Sequence, residues 1–411
     1  MLLEFSFSNH KSIKDEAAFS MIASVDNIRK EFLKTFAKHK VLPSIAIYGP
    51  NGSGKSNFIN ALEYVRALIL NSANYKVDGG IPQYPHKANK KSAASTYDIQ
   101  FTKDDIRYSY SFSILKNAVS EEHLCYYPLG KQVKIFDRKG SKVIPGDRFK
   151  TAFNISRSLL KDYNLLLSCA AVYSDVPEID RAVEFFKEDL VIYNPQASNW
   201  TERSVELMQN DSEIRSIFVE FLKSLGCGIT DIDVKLDKAK INPSDLPAEI
   251  SEHYKALIAM KDVNKLEAKV IYGKLKIDLL TEESAGIKKL FEIMCPMIDA
   301  LRTGKVFICD GLEKDLHEMV VRYIIKMFNQ KEHEHFAQLI FTTNDISLLE
   351  SGLFRRDQVW FTDIDDKKTT KLYSLADIRN VRRKENLANG YMSGKYGGIP
   401  KVTGSKIGGE K

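Results

Sequence analysis

Two periodicities alternate along this chain. Residues 45–48 (IAIY), the VFIC of KVFICDGLEKDL (305–316) and the LIF of QLIFTTND (338–345) are short unbroken apolar runs, the signature of strands buried on both faces. Residues 57–70 instead space Phe58, Leu62, Val65 and Ile69 as one helical face, and LTEESAGIKKLFEI does the same with Ile287, Leu290, Phe291 and Met294. Buried strands feeding amphipathic helices predict an α/β fold.

The middle of the chain reads as mainly helical. SLLKDYNLLLSCAAVY, RAVEFFKEDLVIY and EIRSIFVEFLKSLG carry helical spacing, and EHYKALIAMKDVNKLEAKVIY (252–272) reads as a helix returning the chain to the first lobe. A turn at 226–228 leads into ITDIDVKL, which alternates as an edge strand, and INPSDLPAE is a proline-bearing loop. No heptad pattern persists long enough for a coiled-coil arm. DIRYSYSFSILK places Tyr108, Tyr110, Phe112 and Ile114 on one strand face, which suits a buried sheet or, alternatively, a nucleic-acid stacking platform. The predicted organisation is an N-terminal lobe at 1–150, a helical insertion at 151–272, a C-terminal lobe at 273–400 and a flexible tail at 401–411.

Charge alters this picture at one end only. The net charge of +6 resides in the segment from Arg379 onward, leaving residues 1–378 neutral overall. Arg382, Arg383, Lys384, Tyr391, Lys395 and Tyr396 lie there among glycines, a mixture that can touch phosphates or dock an acidic partner protein. Five widely spaced cysteines without a C-x-x-C pair read as small buried hydrophobes. No run is long and apolar enough for a membrane helix and no secretory signal opens the chain, so a cytosolic protein is expected.

The sharpest chemistry lies in SIAIYGPNGSGKSNFINAL. Gly49, Gly54, Lys55 and Ser56 match G-x-x-x-x-G-K-[ST] between a strand and a helix. In such a loop the backbone amides of Asn51, Gly52, Ser53, Gly54 and Asn57 turn toward phosphates at the positive end of a helix dipole. Lys55 bridges the β- and γ-phosphates and Ser56 offers a hydroxyl to Mg²⁺. Downstream, Ser284 and Gly286 open a helix in a second anion-binding geometry, which an ordinary capped helix explains equally well.

P-loop, Ser-x-Gly helix, apolar strand to Asp310, and strand to a switch residue is the order of parts in an ABC-class head. The chain thereby resembles the bacterial ABC/SMC-like ATPases of the RecF-related, AAA-type defence class, whose relatives include AriA of the PARIS system, AbiL and, more loosely, PtuA of Septu. MLLEFSFSNHKSIKDEAAFSM looks like the opening strand and hairpin of that family, EESAGIKKLF like its signature helix, LFRRDQVWFTD like its last sheet strand and KLYSLADIRNVRRKENLANGYMSGKYGGIP like its C-terminal block. The resemblance implies an ABC-class P-loop ATPase head, a mixed sheet flanked by helices with an inserted mainly helical lobe. Two such heads close over ATP, with Lys55 and Ser56 of one facing Ser284 and Gly286 of the other.

It also assigns Asp310 to the Mg²⁺ site, normally followed by a water-polarising Glu, and a switch position that is normally His. Here those two positions are Gly311 and Asn344. Each loss removes about 10²–10⁴-fold in rate, so ATP is expected to act as a clamp. Glu313 and Asn344 are the residues left to position a water, Gly311→Glu is expected to restore some cleavage, and Gln83 is a candidate Mg²⁺ ligand. His317 suits a dimer contact, and His333 and His335 read as a solvated helix end. The implied role is a sensor or scaffold subunit of an anti-phage system that dimerises around ATP and controls a separately encoded effector such as a TOPRIM-type nuclease. A DNA-dependent repair ATPase of the RecF/SMC type is the alternative.

Overall fold

The computed structural model describes residues 1–26, 29–75, 80–90, 92–196, 199–240, 251, 262–330, 334–350, 352–382 and 385–400. The chain forms two compact units. The first comprises Met1–Ile192, Ala300–Lys314 and Val321–Lys411, and the second Tyr193–Asp299 with Asp315–Val320.

In the first unit the chain runs through β1 (Leu2–Ser8), β2 (Ala17–Ser20), a small β3–β4 hairpin (Lys34–Phe36, His39–Val41), β5 (Ser44–Tyr48) and helix α1 (Lys55–Asn71). The antiparallel strands β6 (Ser95–Lys103), β7 (Ile106–Leu115), β8 (Ala118–Tyr127), β9 (Val133–Lys139) and β10 (Lys142–Pro145) follow. They join β1 and β2 in a seven-stranded sheet of order β10-β9-β8-β7-β6-β1-β2. Alternation along these strands turns one apolar face inward, where Phe5, Phe7 and Phe19 meet Phe58 of α1 at ring distances of 5.9, 6.1 and 4.7 Å. Tyr108, Tyr110, Phe112 and Ile114 of β7 are buried in the same core, so the stacking platform for nucleic acid is ruled out. Their rings are spent on the fold.

The second sheet of this unit positions the chemistry. Its order is β11-β15-β16-β5-β17-β18, formed by Leu190–Tyr193, Val306–Cys309, Gln338–Thr342, β5, Val359–Ile364 and Thr370–Ser374. β15, β16, β5 and β17 run parallel, and β18 returns antiparallel. β15, β16 and β5 are buried at every position, which explains their unbroken apolar runs. Parallel neighbours end at the same edge. The residues after β15, β16 and β5, namely Asp310, Thr343–Asn344 and the P-loop, are therefore delivered side by side at the carboxyl edge of the sheet, where open α/β sheets bind ligands.

Several helical expectations fail in this unit. Residues 156–173 form two short helices, α2 (Asn154–Leu159) and α3 (Leu166–Tyr173), rather than one. Following α4 (Pro177–Glu184), Leu190–Tyr193 is a strand, because its four consecutive buried apolar residues suit a sheet better than a one-sided helix. These elements belong to the first unit, so the compact division falls near residue 192 instead of 151.

The second unit adds a sheet to its helices. α5 (Trp200–Asn210) and α6 (Ser212–Ser224) precede a three-stranded antiparallel sheet of β12 (Asp231–Lys240), β13 (Asp262–Tyr272) and β14 (Leu275–Asp278). Asp211 caps α6 by accepting from Glu213 N and Ile214 N, and Phe218 packs edge-on against Phe291 at 4.9 Å. ITDIDVKL is the expected edge strand. Residues 252–261 of the predicted returning helix lie outside the described residues, and the remainder is β13. Ala268 and Val270 are buried while Lys265, Glu267 and Lys269 face out, a period of two that Leu266 and Val270, four apart, disguise as a helical face. Cys169, Cys295 and Cys309 are buried, Cys125 is half-buried, and Cys227, in the turn at 226–228, is exposed against expectation. The tail at 401–411 and His333 lie outside the described residues. No described helix is long and apolar enough to cross a membrane.

Candidate nucleotide-binding site

Residues 49–54 connect the end of β5 to α1, and the loop is anchored from below by the β17–β18 hairpin. Ser53 is fully buried, its hydroxyl 2.6 Å from Thr362 Oγ1, while Thr370 Oγ1 donates to the Ser53 carbonyl at 2.8 Å. Asn57 Nδ2 donates to Ser12 Oγ at 2.7 Å, which in turn lies 2.7 Å from Thr370 Oγ1. The side chains of Ser53 and Asn57 thus hold the loop in shape, leaving only their backbone for a ligand. No side chain caps α1 at Gly54. The first amides of a helix lack intrahelical partners, so this end is ready for an anion.

Above the loop lies a cleft of about 270 Å³. Asn51, Gly52, Gly54, Lys55, Ser56 and Asn57 form one wall, and Asp310, Glu313, Lys314 and Asn344 form the other. Ser56 Oγ donates to Asp310 Oδ2 at 2.7 Å. The second oxygen, Asp310 Oδ1, accepts from Thr342 Oγ1 at 2.5 Å, and that hydroxyl also accepts from Gly311 N at 2.8 Å. Lys55 Nζ donates to the carbonyls of Gly49 and Pro50 and to Asn344 Oδ1 at 3.0 Å. Burial pulls its pKa below the usual lysine value and the nearby Lys314 ammonium adds to this, while Asp310 and Glu313 oppose it. This set fits a magnesium nucleoside triphosphate: an uncapped helix end and a part-desolvated ammonium for the phosphates, with a hydroxyl and a carboxylate as hard oxygens for the metal.

The wall of the cleft opposite the P-loop is formed around Asn344, Glu313, Gly311 and Lys314. Asn344 is committed at both ends, its side chain to Lys55 and its backbone N–H to Glu313 Oε1 at 2.8 Å. Glu313 Oε2 is buried without a hydrogen-bond partner. Gly311 has φ +69°, and a Cβ there would lie 2.4 Å from Lys314 Cε and 2.8 Å from Lys314 Nζ. The end of the Lys314 side chain therefore lies where a side chain at position 311 would project. Sequence reasoning missed Lys314, Thr342, Thr362 and Thr370; only Lys314, a cation inside the Asp310 loop, left a visible signal.

Gln83 does not join this set. Its Nε2 donates to Ser95 Oγ and to the Ile114 carbonyl, both at 3.1 Å, so its amide is spent on the antiparallel sheet. Ser284 and Gly286 lie in the second unit. Ser284 precedes the helix Ala285–Thr303, and its hydroxyl accepts weakly from Ile287 N at 3.4 Å. A Cβ on Gly286 would meet the Asp315 carbonyl at 2.8 Å, so close backbone packing alone requires that glycine. His317 Nδ1 accepts from Met319 N at 3.2 Å, capping the helix Glu318–Asn329. Among the described residues no cluster of three or more His, Cys, Asp or Glu side chains is arranged to hold a metal ion.

The family described as "AAA domain, putative AbiEii toxin, Type IV TA system" matches residues 44–158. That match covers the P-loop stretch of this chain. The match begins at β5 and includes α1 but stops short of Asp310 and Asn344. No curated protein matches the chain. Among solved structures, the SmcHead bound to the C-winged helix domain of ScpA is similar at 14% identity and TM-score 0.43, covering 91% of this chain and 97% of that one. The SMC head domain from Thermotoga maritima is similar at 11% and 0.41, covering 91% and 98%. The Smc head domain with an extended coiled coil bound to the C-terminal domain of ScpA, derived from Pyrococcus furiosus, is similar at 13% and 0.41, covering 91% and 96%. The reading of the site rests on the sheet order and the cleft described above.

Proposed function

We propose that this chain is an ABC/SMC-like P-loop protein that binds MgATP and holds it far better than it splits it. The P-loop amides and Lys55 grip the phosphates, and Ser56 and Asp310 take the metal. The observation that carries the reading is Gly311, in left-handed backbone beneath Lys314, where hydrolysis calls for a carboxylate. A ligand stabilises whichever state it binds better, so clamping needs no chemistry. Two copies close over nucleotide, Ser284 and Gly286 of one completing the site of the other, and the closed state controls a separately encoded effector in an anti-phage system. The anti-phage role is supported by the sequence resemblance and by the match of residues 44–158 to a family described as a "putative AbiEii toxin".

Slow turnover through Glu313 is a second reading, favoured by the buried and unpartnered Oε2 at the cleft wall, a carboxylate oxygen available to a water. One experiment separates the two. Purified chain is loaded with radiolabelled ATP and Mg²⁺, freed of excess nucleotide, and the retained label is resolved into ATP and ADP over time. The clamp reading expects intact ATP, lost in Lys55→Ala. Slow conversion to ADP that disappears in Glu313→Gln supports the second reading, and rapid multiple turnover overturns the clamp. Phosphate release stimulated by duplex DNA identifies a RecF/SMC-type repair ATPase instead.

A further inference from the structure

We propose that an arginine-lined pocket ahead of β17 is a second anion site, separate from the nucleotide cleft, that takes a phosphate monoester such as the end of a nucleic-acid strand. It stands independently of the nucleotide reading, because it lies at the other edge of the same sheet. The P-loop follows the carboxyl end of β5. β17 runs parallel to β5, and Arg355 and Arg356 come just before its first residue, Val359, which puts them at the amino edge.

The pocket encloses about 230 Å³, and four guanidinium groups line it, those of Arg29, Arg355, Arg356 and Arg382. Two of them are neutralised in place, Arg355 by Asp357 and Arg356 by Asp26, each at 2.8 Å. The other two pair with no carboxylate among the described residues. Arg29 Nη1 donates to the Phe354 carbonyl at 2.6 Å, which fixes the group in the wall without cancelling its charge. Burial pulls its pKa below the usual arginine value, and Glu31 opposes this. Arg382 is exposed, and its backbone N–H donates to Glu385 Oε2 at 3.0 Å. Of the two carboxylates that line the pocket, Glu385 already accepts from Lys395 Nζ at 2.6 and 2.7 Å and from Tyr396 OH at 2.7 Å. Glu350 is exposed, so solvent and salt screen its charge. Two guanidinium groups without a carboxylate match a monoester phosphate, which carries about −1.5 to −2 charge at pH 7 and three acceptor oxygens. A carboxylate or a backbone phosphodiester brings a single charge and matches them less well. The pocket shares Arg382 and Glu385 with a wider depression of about 870 Å³, which leaves room for the ligand beyond its phosphate.

The test is fluorescence anisotropy of a 3′-labelled single-stranded oligonucleotide with a 5′-phosphate, against the same strand with a 5′-hydroxyl. The full chain is used with MgATP present, and again as Lys55→Ala, so that the P-loop is not the site measured. The phosphorylated strand is expected to bind about 10-fold or more tightly than its hydroxyl counterpart in both. Arg382→Gln is expected to lower that affinity by about 10- to 100-fold, the scale of one charge-assisted hydrogen bond, and to leave the hydroxyl strand unchanged. Arg382 is exposed, so an unchanged melting temperature is expected to accompany the loss. Glu350→Gln removes a negative charge from the lining and should strengthen binding. Displacement by a nucleoside 5′-monophosphate as effective as that by unlabelled phosphorylated strand supports the pocket and makes a mononucleotide its source. Equal binding of the two strands, a preference that survives Arg382→Gln, or a preference lost in Lys55→Ala overturns the proposal. Retention of radiolabelled ATP by Arg382→Gln should match the unaltered chain, and an unaltered chain that retains none overturns the nucleotide reading without touching this one.

Discussion

Gly311→Ala tests the local geometry directly. At φ +69° an L-residue clashes with its own carbonyl, at a cost of about 1–2 kcal/mol. Alanine also restricts the unfolded chain, which returns about 0.4–1 kcal/mol. The new Cβ meets the far end of Lys314, a flexible chain that swings aside at little cost. The backbone has no cheap escape, since rotating φ to a negative value pulls Gly311 N off Thr342 Oγ1, a buried hydrogen bond of 2.8 Å. The net expectation is a loss of about 1 kcal/mol, with Gly311→Asn losing less because asparagine tolerates the left-handed region. Urea titration of the full chain reads this as a lower midpoint at an unchanged m-value. If Gly311→Ala were as stable as the unaltered chain, the left-handed turn would be refuted. The placement of Lys314 over it would then fall too. The same geometry revises the expectation for Gly311→Glu. The new carboxylate would stand against the Lys314 ammonium and pair with it, so appreciable phosphate release is expected only when Lys314→Ala is added.

Three further outcomes follow from particular contacts. Thr342→Val keeps the shape of β16 but strips one partner from Asp310 and the acceptor from Gly311 N, so it should destabilise by about 1–3 kcal/mol and raise the Mg²⁺ concentration needed for ATP retention, read by melting and by a Mg²⁺ titration of bound label. Arg138→Met removes the guanidinium partner of Glu122 in a fully buried site where the carboxyl group also serves Tyr110 and the amides of Leu166 and Leu167; a loss of about 3–5 kcal/mol in urea titration is expected, and the double change with Glu122→Leu should cost less than the two single changes together. Glu385, held by Lys395 and then by Tyr396, has its pKa lowered to about 2 from 4.5. Its folded value lies below its unfolded one, so the stabilisation is present above pH 4.5 and is lost as pH falls toward 2. Tyr396 fluorescence or amide exchange in Leu387–Met392 should loosen within that window and not above it.

Much of the fold was legible because burial on both faces leaves an unbroken apolar run. VFIC and LIF read as strands, and they are central in the mixed sheet. The same rule explains the errors. Leu190–Tyr193 carries an equally unbroken run but follows α4 and the helical turn Phe185–Asp189, so a helical reading continued across it. β13 failed for another reason, since residues spaced by four satisfy both a strand face and a helix face, and only the pairing with β12 and β14 decides between them. In both cases the deciding partner is distant in sequence.

At the site the limits were sharper, because a motif fixes where backbone and charge lie but not where a long side chain goes. Gly49 to Asn57 and Asp310 were identifiable from spacing, and neighbouring parallel strands bring them to one cleft. Gln83 has the right chemistry, yet its amide is satisfied by Ser95 and Ile114 on another sheet. For Gly311 the sequence recorded only a missing carboxylate. A Cβ at 311 would meet the flexible far end of Lys314, so what requires glycine there is the left-handed backbone at φ +69°. Losing the carboxylate removes a base and, with it, a negative charge that would repel the γ-phosphate, so a site without it is expected to hold ATP more tightly than its hydrolytic counterpart while cleaving it more slowly.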